Sequence, residues 1–135
     1  MLGAIPLLLP IVIIYFLIAF TVPASIAGIV LGFTLPSGAA WTLTTGDLLV
    51  ALGLFILYLE ILKSVRTSMA SMIDHALSLL LFALCLVLFF VLPQAGTGTF
   101  FLITVMTLID VFAGFTVTLA ASRRSVDIGG GSGML

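Results

Sequence analysis

The chain has 135 residues, 63% hydrophobic and 7% charged, with a mean hydropathy of +1.49. Soluble domains carry about 25% charged and roughly 45–50% apolar residues, so this composition excludes a water-soluble fold and points to a membrane. Four basic and five acidic residues sum to -1, which leaves no basic surface for nucleic acid. One Cys and one His exclude a disulfide scaffold and any metal or Fe–S centre built on several thiolates and imidazoles. No cofactor is expected.

A transmembrane helix needs about 20 mostly apolar residues to cross ~30 Å of hydrocarbon. Residues 1–46 contain no charge. The apolar stretch 2–35 is too long for one upright helix and slightly short for a tight two-helix hairpin. Its reading is one tilted helix over about 10–33, with Pro10 in the first turn and a kink near Pro23. Ala24, Gly28 and Gly32 then form a ladder of small residues at four-residue steps, which permits close helix approach. A cleaved signal peptide ending near Ala24-Ser-Ile-Ala27 is the competing reading, and the lack of a preceding Lys or Arg argues against it.

Thr44-Thr-Gly-Asp47 has the form of a capping box and opens a second span at about 45–62, with Gly46 and Gly53 seven residues apart for helix packing. Ser71-Met-Ile-Asp74 repeats the cap form and opens a third span at about 72–92, which Pro93 stops. Thr97-Gly-Thr99 opens a fourth at about 99–121, ending at Ser122-Arg123-Arg124. The Gly-rich stretch 125–135 reads as a flexible cytoplasmic tail. The expected fold is an all-α, polytopic membrane protein with four transmembrane helices.

Lys and Arg near span ends favour the cytoplasmic side. Lys63 and Arg66 lie between spans two and three, and Arg123 and Arg124 follow span four, so both termini are expected in the cytoplasm. Trp41 then falls in an outer loop as an interfacial anchor. Phe33-Thr-Leu-Pro36 and Phe90-Val-Leu-Pro93 share an F-x-L-P pattern, compatible with a duplicated hairpin or with a shared turn requirement.

Asp110 is the charge-capable residue deepest in a span, ~18 Å from the tail side at ~1.5 Å per residue. Insertion there costs at least ~2.5–3.5 kcal/mol, so the carboxyl must face the bundle or a partner. Thr104, Thr107, Gly114 and Thr118 share its face at helical spacing. This polar face is either a proton or cation site or an interhelical hydrogen bond that locks the bundle. Tyr15 reaches the same depth if the first helix starts near residue 4, and stays near the boundary if it starts at Pro10.

A second group collects at the cytoplasmic boundary: Glu60, Lys63, Arg66, Asp74 and His75. Glu60 and Lys63 have the spacing of an ion pair, and Asp74 suits the first turn of its helix. The group is either a proton entry point, since imidazole titrates near neutral pH, or a solvated boundary of caps and positive-inside residues. Cys85 reads as an inert, small apolar residue.

No phosphate loop, G-x-S-x-G or H-E-x-x-H motif is present, so no enzymatic activity is expected. An intramembrane hydrolase would have only Ser78 and Asp110 to work with, and the sequence does not pair them.

With Tyr58-Leu-Glu-Ile-Leu-Lys-Ser-Val-Arg-Thr67, Ile73-Asp-His-Ala-Leu-Ser-Leu79 and Leu108-Ile-Asp-Val-Phe-Ala-Gly-Phe115, the chain resembles small four-span inner-membrane proteins of alphaproteobacteria. The resemblance covers spans two to four. It implies a bacterial inner membrane and no particular activity. Similarity to the small multidrug exporters is limited to size and span number, since those carry the membrane carboxylate in the first helix. The expected function is that of a non-enzymatic subunit or helix-packing partner in a larger membrane assembly. The alternative is an oligomeric proton- or cation-coupled channel or transporter using Asp110. Expected partners are membrane lipids and either further copies or other membrane subunits.

Overall fold

The computed structural model describes residues 5–64 and 69–129. Arg66 and residues 130–135 of the expected tail lie outside them. In chain order the elements are α1 (Leu9–Thr21), a 3-10 turn (Pro23–Ser25), β1 (Ile29–Thr34), β2 (Ala40–Thr44), α2 (Thr45–Ser64), α3 (Met69–Val91), a second 3-10 turn (Pro93–Ala95) and α4 (Gly98–Gly129). The fold is mostly helical. Three of its helices are long and apolar enough to cross a membrane: α2, α3 over Met72–Val91, and α4 over Gly98–Ala120.

The expected helix at 10–33 is corrected. Pro10 does stand in the first turn of α1, but Pro23 ends the helix where only a kink was expected. Proline disfavours the helical region for the residue before it, and Val22 takes φ -141° and ψ 70°. The 13 residues of α1 measure ~20 Å, short of the hydrocarbon thickness. Residues 5–26 nevertheless run the length of the bundle: the Ile5 carbonyl accepts from Lys63 Nζ (3.0 Å) at one end of α2, and the Ile26 carbonyl accepts from the Gly46 N–H (2.9 Å) at the other.

Residues 29–44 form an antiparallel hairpin in which Phe33 pairs with Trp41 and Thr34 with Ala40. Trp41 therefore lies in a strand. Gly38 turns the chain with φ 84°, and its N–H bonds the Leu35 carbonyl at 2.8 Å. Gly32 is a strand residue, Gly28 precedes the strand, and Ala24 is exposed in the 3-10 turn, so the small-residue ladder never forms a helix face. The F-x-L-P matches also diverge, one ending a strand and the other ending a helix.

Thr44 and Asp47 close the capping box of α2 in both directions: Asp47 Oδ2 accepts from the Thr44 N–H (2.9 Å) and hydroxyl (2.7 Å), and Thr44 Oγ1 accepts from the Asp47 N–H (3.1 Å). From there α2 buries Gly46, Leu49, Gly53, Leu57, Glu60 and Ser64, a stripe at steps of three and four. α4 packs along both α2 and α3. A Cβ on Gly53 would lie 2.8 Å from Met106 Sδ, and one on Gly46 would overlap Thr99 Oγ1, so both glycines set the α2–α4 approach. At the opposite end of α3, Pro93 prevents helical continuation, and Thr97 Oγ1 accepts from the Phe100 N–H (3.1 Å) to start α4. α4 then runs through 125–129, where a flexible tail was expected.

Candidate functional site

The structure joins into one centre the two polar groups that the sequence presents as separate. Glu60 comes from α2, Asp74 and Ser78 from α3, and Asp110 from α4; all four are at least 96% buried, with exposures of 1%, 2%, 2% and 4%. Each sits on the inward stripe of its helix, which is why residues 14 to 50 positions apart meet.

Lys63 holds the centre together. Its ammonium lies 2.8 Å from Glu60 Oε1, 2.9 Å from Asp74 Oδ1 and 3.0 Å from the Ile5 carbonyl, so its three N–H donors have three oxygen partners. Glu60 Oε2 in turn accepts from the Leu7 N–H at 2.9 Å. The main chain just before α1 therefore forms a strap over the centre. Asp74 was expected to cap its helix from the first turn. Because α3 begins earlier, at Met69, its carboxylate is displaced from the helix end and pairs with Lys63.

Asp110 lies within electrostatic reach of Asp74, Lys63 and His75, and of Glu60. Ser78 stands beside the Asp110 carboxyl, and its buried hydroxyl closes no hydrogen bond of ordinary length. Serine and aspartate are thus neighbours across α3 and α4, a juxtaposition that their sequence positions do not reveal. His75, half-buried, lays its ring against Gly114, four residues beyond Asp110: a Cβ on Gly114 would meet His75 Cε1 at 2.7 Å. Gly114→Ala is therefore expected to push the imidazole off α4, read as a changed His75 ring resonance in NMR. An unmoved resonance would show that the ring position does not depend on Gly114.

Other expected members are placed differently. Thr104 and Thr107 are buried on α4, but their hydroxyls donate to the Phe100 carbonyl (2.9 Å) and the Thr104 carbonyl (2.7 Å), and Thr118 donates to the Gly114 carbonyl (3.0 Å). These bonds are spent on their own helix. Tyr15 does not pair with Asp110. Although α1 starts at Leu9, Tyr15 does not stay at the cytoplasmic boundary either: its hydroxyl reaches the far end of the bundle, where it donates to the Gln94 carbonyl (2.8 Å) and shares a 2.6 Å hydrogen bond with Thr97 Oγ1.

That far end holds a cleft of about 860 Å³, lined by Asp47, Gln94, Thr97, Thr99 and apolar residues including Ile26 and Phe101. Between it and the carboxylate centre, α2 and α4 present Leu49, Leu57, Phe100, Ile103 and Met106, all buried. Among the described residues no group of three His, Cys, Asp or Glu is arranged to hold a metal ion. No protein family, curated protein or solved structure matches this chain.

Proposed function

We propose that the protein is a non-enzymatic, proton-handling membrane protein, in which the Glu60–Lys63–Asp74–Asp110 centre binds and releases a proton as the coupling step of an oligomeric channel or transporter. One observation carries this reading: three buried carboxylates gather around a single lysine ammonium, which pairs with Glu60 and Asp74 and leaves Asp110 outside its ion pairs, among the described residues of a bundle of membrane-spanning length. Ionisable groups at such depth are costly, and a centre whose charge is unbalanced changes its proton content readily. The apolar layer between the centre and the distant cleft favours a gated carrier over an open pore. In this reading residues 5–26 supply the fourth crossing. Both termini and the carboxylate centre then face the cytoplasm of a bacterial inner membrane, as the Lys and Arg positions favour.

The test is proton flux into proteoliposomes loaded with a pH-sensitive dye. Wild type is expected to dissipate an imposed pH gradient, and Asp110→Asn to reduce the rate by about 100-fold or more, the scale on which a positioned proton-transfer group acts. Equal flux in the two proteins would make Asp110 structural.

A second reading, a helix-packing subunit of a larger assembly, is favoured by a separate feature. Between α1 and α3 runs an apolar groove of about 360 Å³, lined by Val12, Phe16, Phe20, Leu81, Leu84 and Leu88. Its apolar lining suits the side chains of a neighbouring helix. Purification in mild detergent separates the readings, because a homo-oligomer with no other co-purifying chain removes the second.

A further inference from the structure

The hairpin 29–44 presents a surface that the helices leave uncovered. Ile29, Val30, Leu31 and Phe33 are 66%, 56%, 52% and 51% exposed. Strand side chains alternate between faces, so Leu31 and Phe33 share one face with their partners Leu43 and Trp41, and the register shift between Ile29 and Leu31 puts Ile29 on the other. No charged residue occurs anywhere before Asp47 to oppose burial in lipid.

Two further observations fix what this surface meets. The hairpin root is level with the start of a spanning helix: the Thr45 N–H bonds the Gly28 carbonyl at 3.0 Å, and α2 begins at Thr45. The first turns of α2 beyond that root are apolar on their outer side too, with Leu48 and Leu52 exposed. Among the described residues the sheet has two strands, so each strand keeps one open edge of main-chain N–H and C=O groups. Open edges are not tolerated in dry hydrocarbon, and exposed Ile, Val, Leu and Phe are disfavoured in water. The headgroup–acyl boundary satisfies both, since water and headgroups reach the edges while the side chains enter the acyl region.

We propose that the hairpin is an interfacial anchor that lies in the lipid headgroup boundary, its partner a phospholipid surface. The hairpin's root residues Ala27 and Thr44 also line the 860 Å³ cleft, so the cleft mouth opens at headgroup depth. Solutes then enter it from the boundary layer.

Trp41 is the chain's only tryptophan, so its emission reports the hairpin without labelling. The experiment uses the full chain in phosphatidylethanolamine–phosphatidylglycerol vesicles, with and without lipids brominated near the headgroup end of the acyl chain. Blue-shifted emission is expected, with most of it lost to brominated lipid and little to aqueous iodide, at every protein-to-lipid ratio. Phe33→Lys, which places a charge opposite Trp41, is expected to raise iodide quenching. Emission that iodide quenches and brominated lipid does not would overturn the proposal. Shielding that appears only at high protein-to-lipid ratio would also overturn it, assigning the surface to a second copy.

Discussion

Lys63→Met is expected to lower the unfolding temperature more than any other single substitution in the bundle. The ammonium is the common partner of Glu60 and Asp74, and both carboxylates are almost wholly buried. Removing one partner of a buried ion pair typically costs about 3–5 kcal/mol, because the remaining charge has neither water nor a counter-ion. The Ile5 carbonyl loses its donor as well, which loosens the strap at the start of α1. The loss should be partly reversed in a triple variant that adds Glu60→Gln and Asp74→Asn, since the stranded charges are then gone. Thermal unfolding in detergent, followed by circular dichroism, checks both. A Lys63→Met protein as stable as wild type would mean that the ion pairs contribute nothing net.

The second large effect is expected at Gly46→Val. A Cβ there would overlap Thr99 Oγ1 and lie 3.1 Å from the Ile26 carbonyl oxygen. That oxygen cannot retreat easily, because it accepts the hydrogen bond from the Gly46 N–H. Inserting carbons into such a contact typically costs about 1–3 kcal/mol. Gly98→Ala is the control, since nothing lies within 4 Å of its would-be Cβ. Equal melting temperatures for the two variants would refute the argument that Gly46 sets the α2–α4 distance.

The three long helices were legible from charge spacing and caps, because in hydrocarbon every backbone bond must close locally and the stops are therefore written locally. Thr44 with Asp47, Pro93 and Thr97 are such stops. The first segment was misjudged for a related reason. Apolar composition signals burial or lipid contact but not backbone conformation, and Ile29 to Phe33 reads equally as the end of a long helix or as a strand. Val22-Pro23 carried the deciding signal, as a break where a kink was expected.

The site was legible as a set of residue types and illegible as an arrangement. Asp110 was singled out by depth, and Glu60 with Lys63 by spacing on one helix. Their union depends on the relative rotation of three helices, which no linear spacing encodes. The strap is harder still to foresee. Leu7 and Ile5 contribute an amide N–H and a carbonyl, groups that every residue except proline possesses in full.

α4 continues without interruption from Gly98 to Gly129, so the helix that carries Asp110 runs on for 19 residues beyond it. At ~1.5 Å per residue, that stretch is ~28 Å of continuous helical rod. Such a rod is a lever. A rotation of a few degrees about its axis turns the Asp110 carboxylate relative to Ser78 and Asp74, which sit on a different helix. Whatever turns the far end of α4 therefore acquires a mechanical handle on the buried charges.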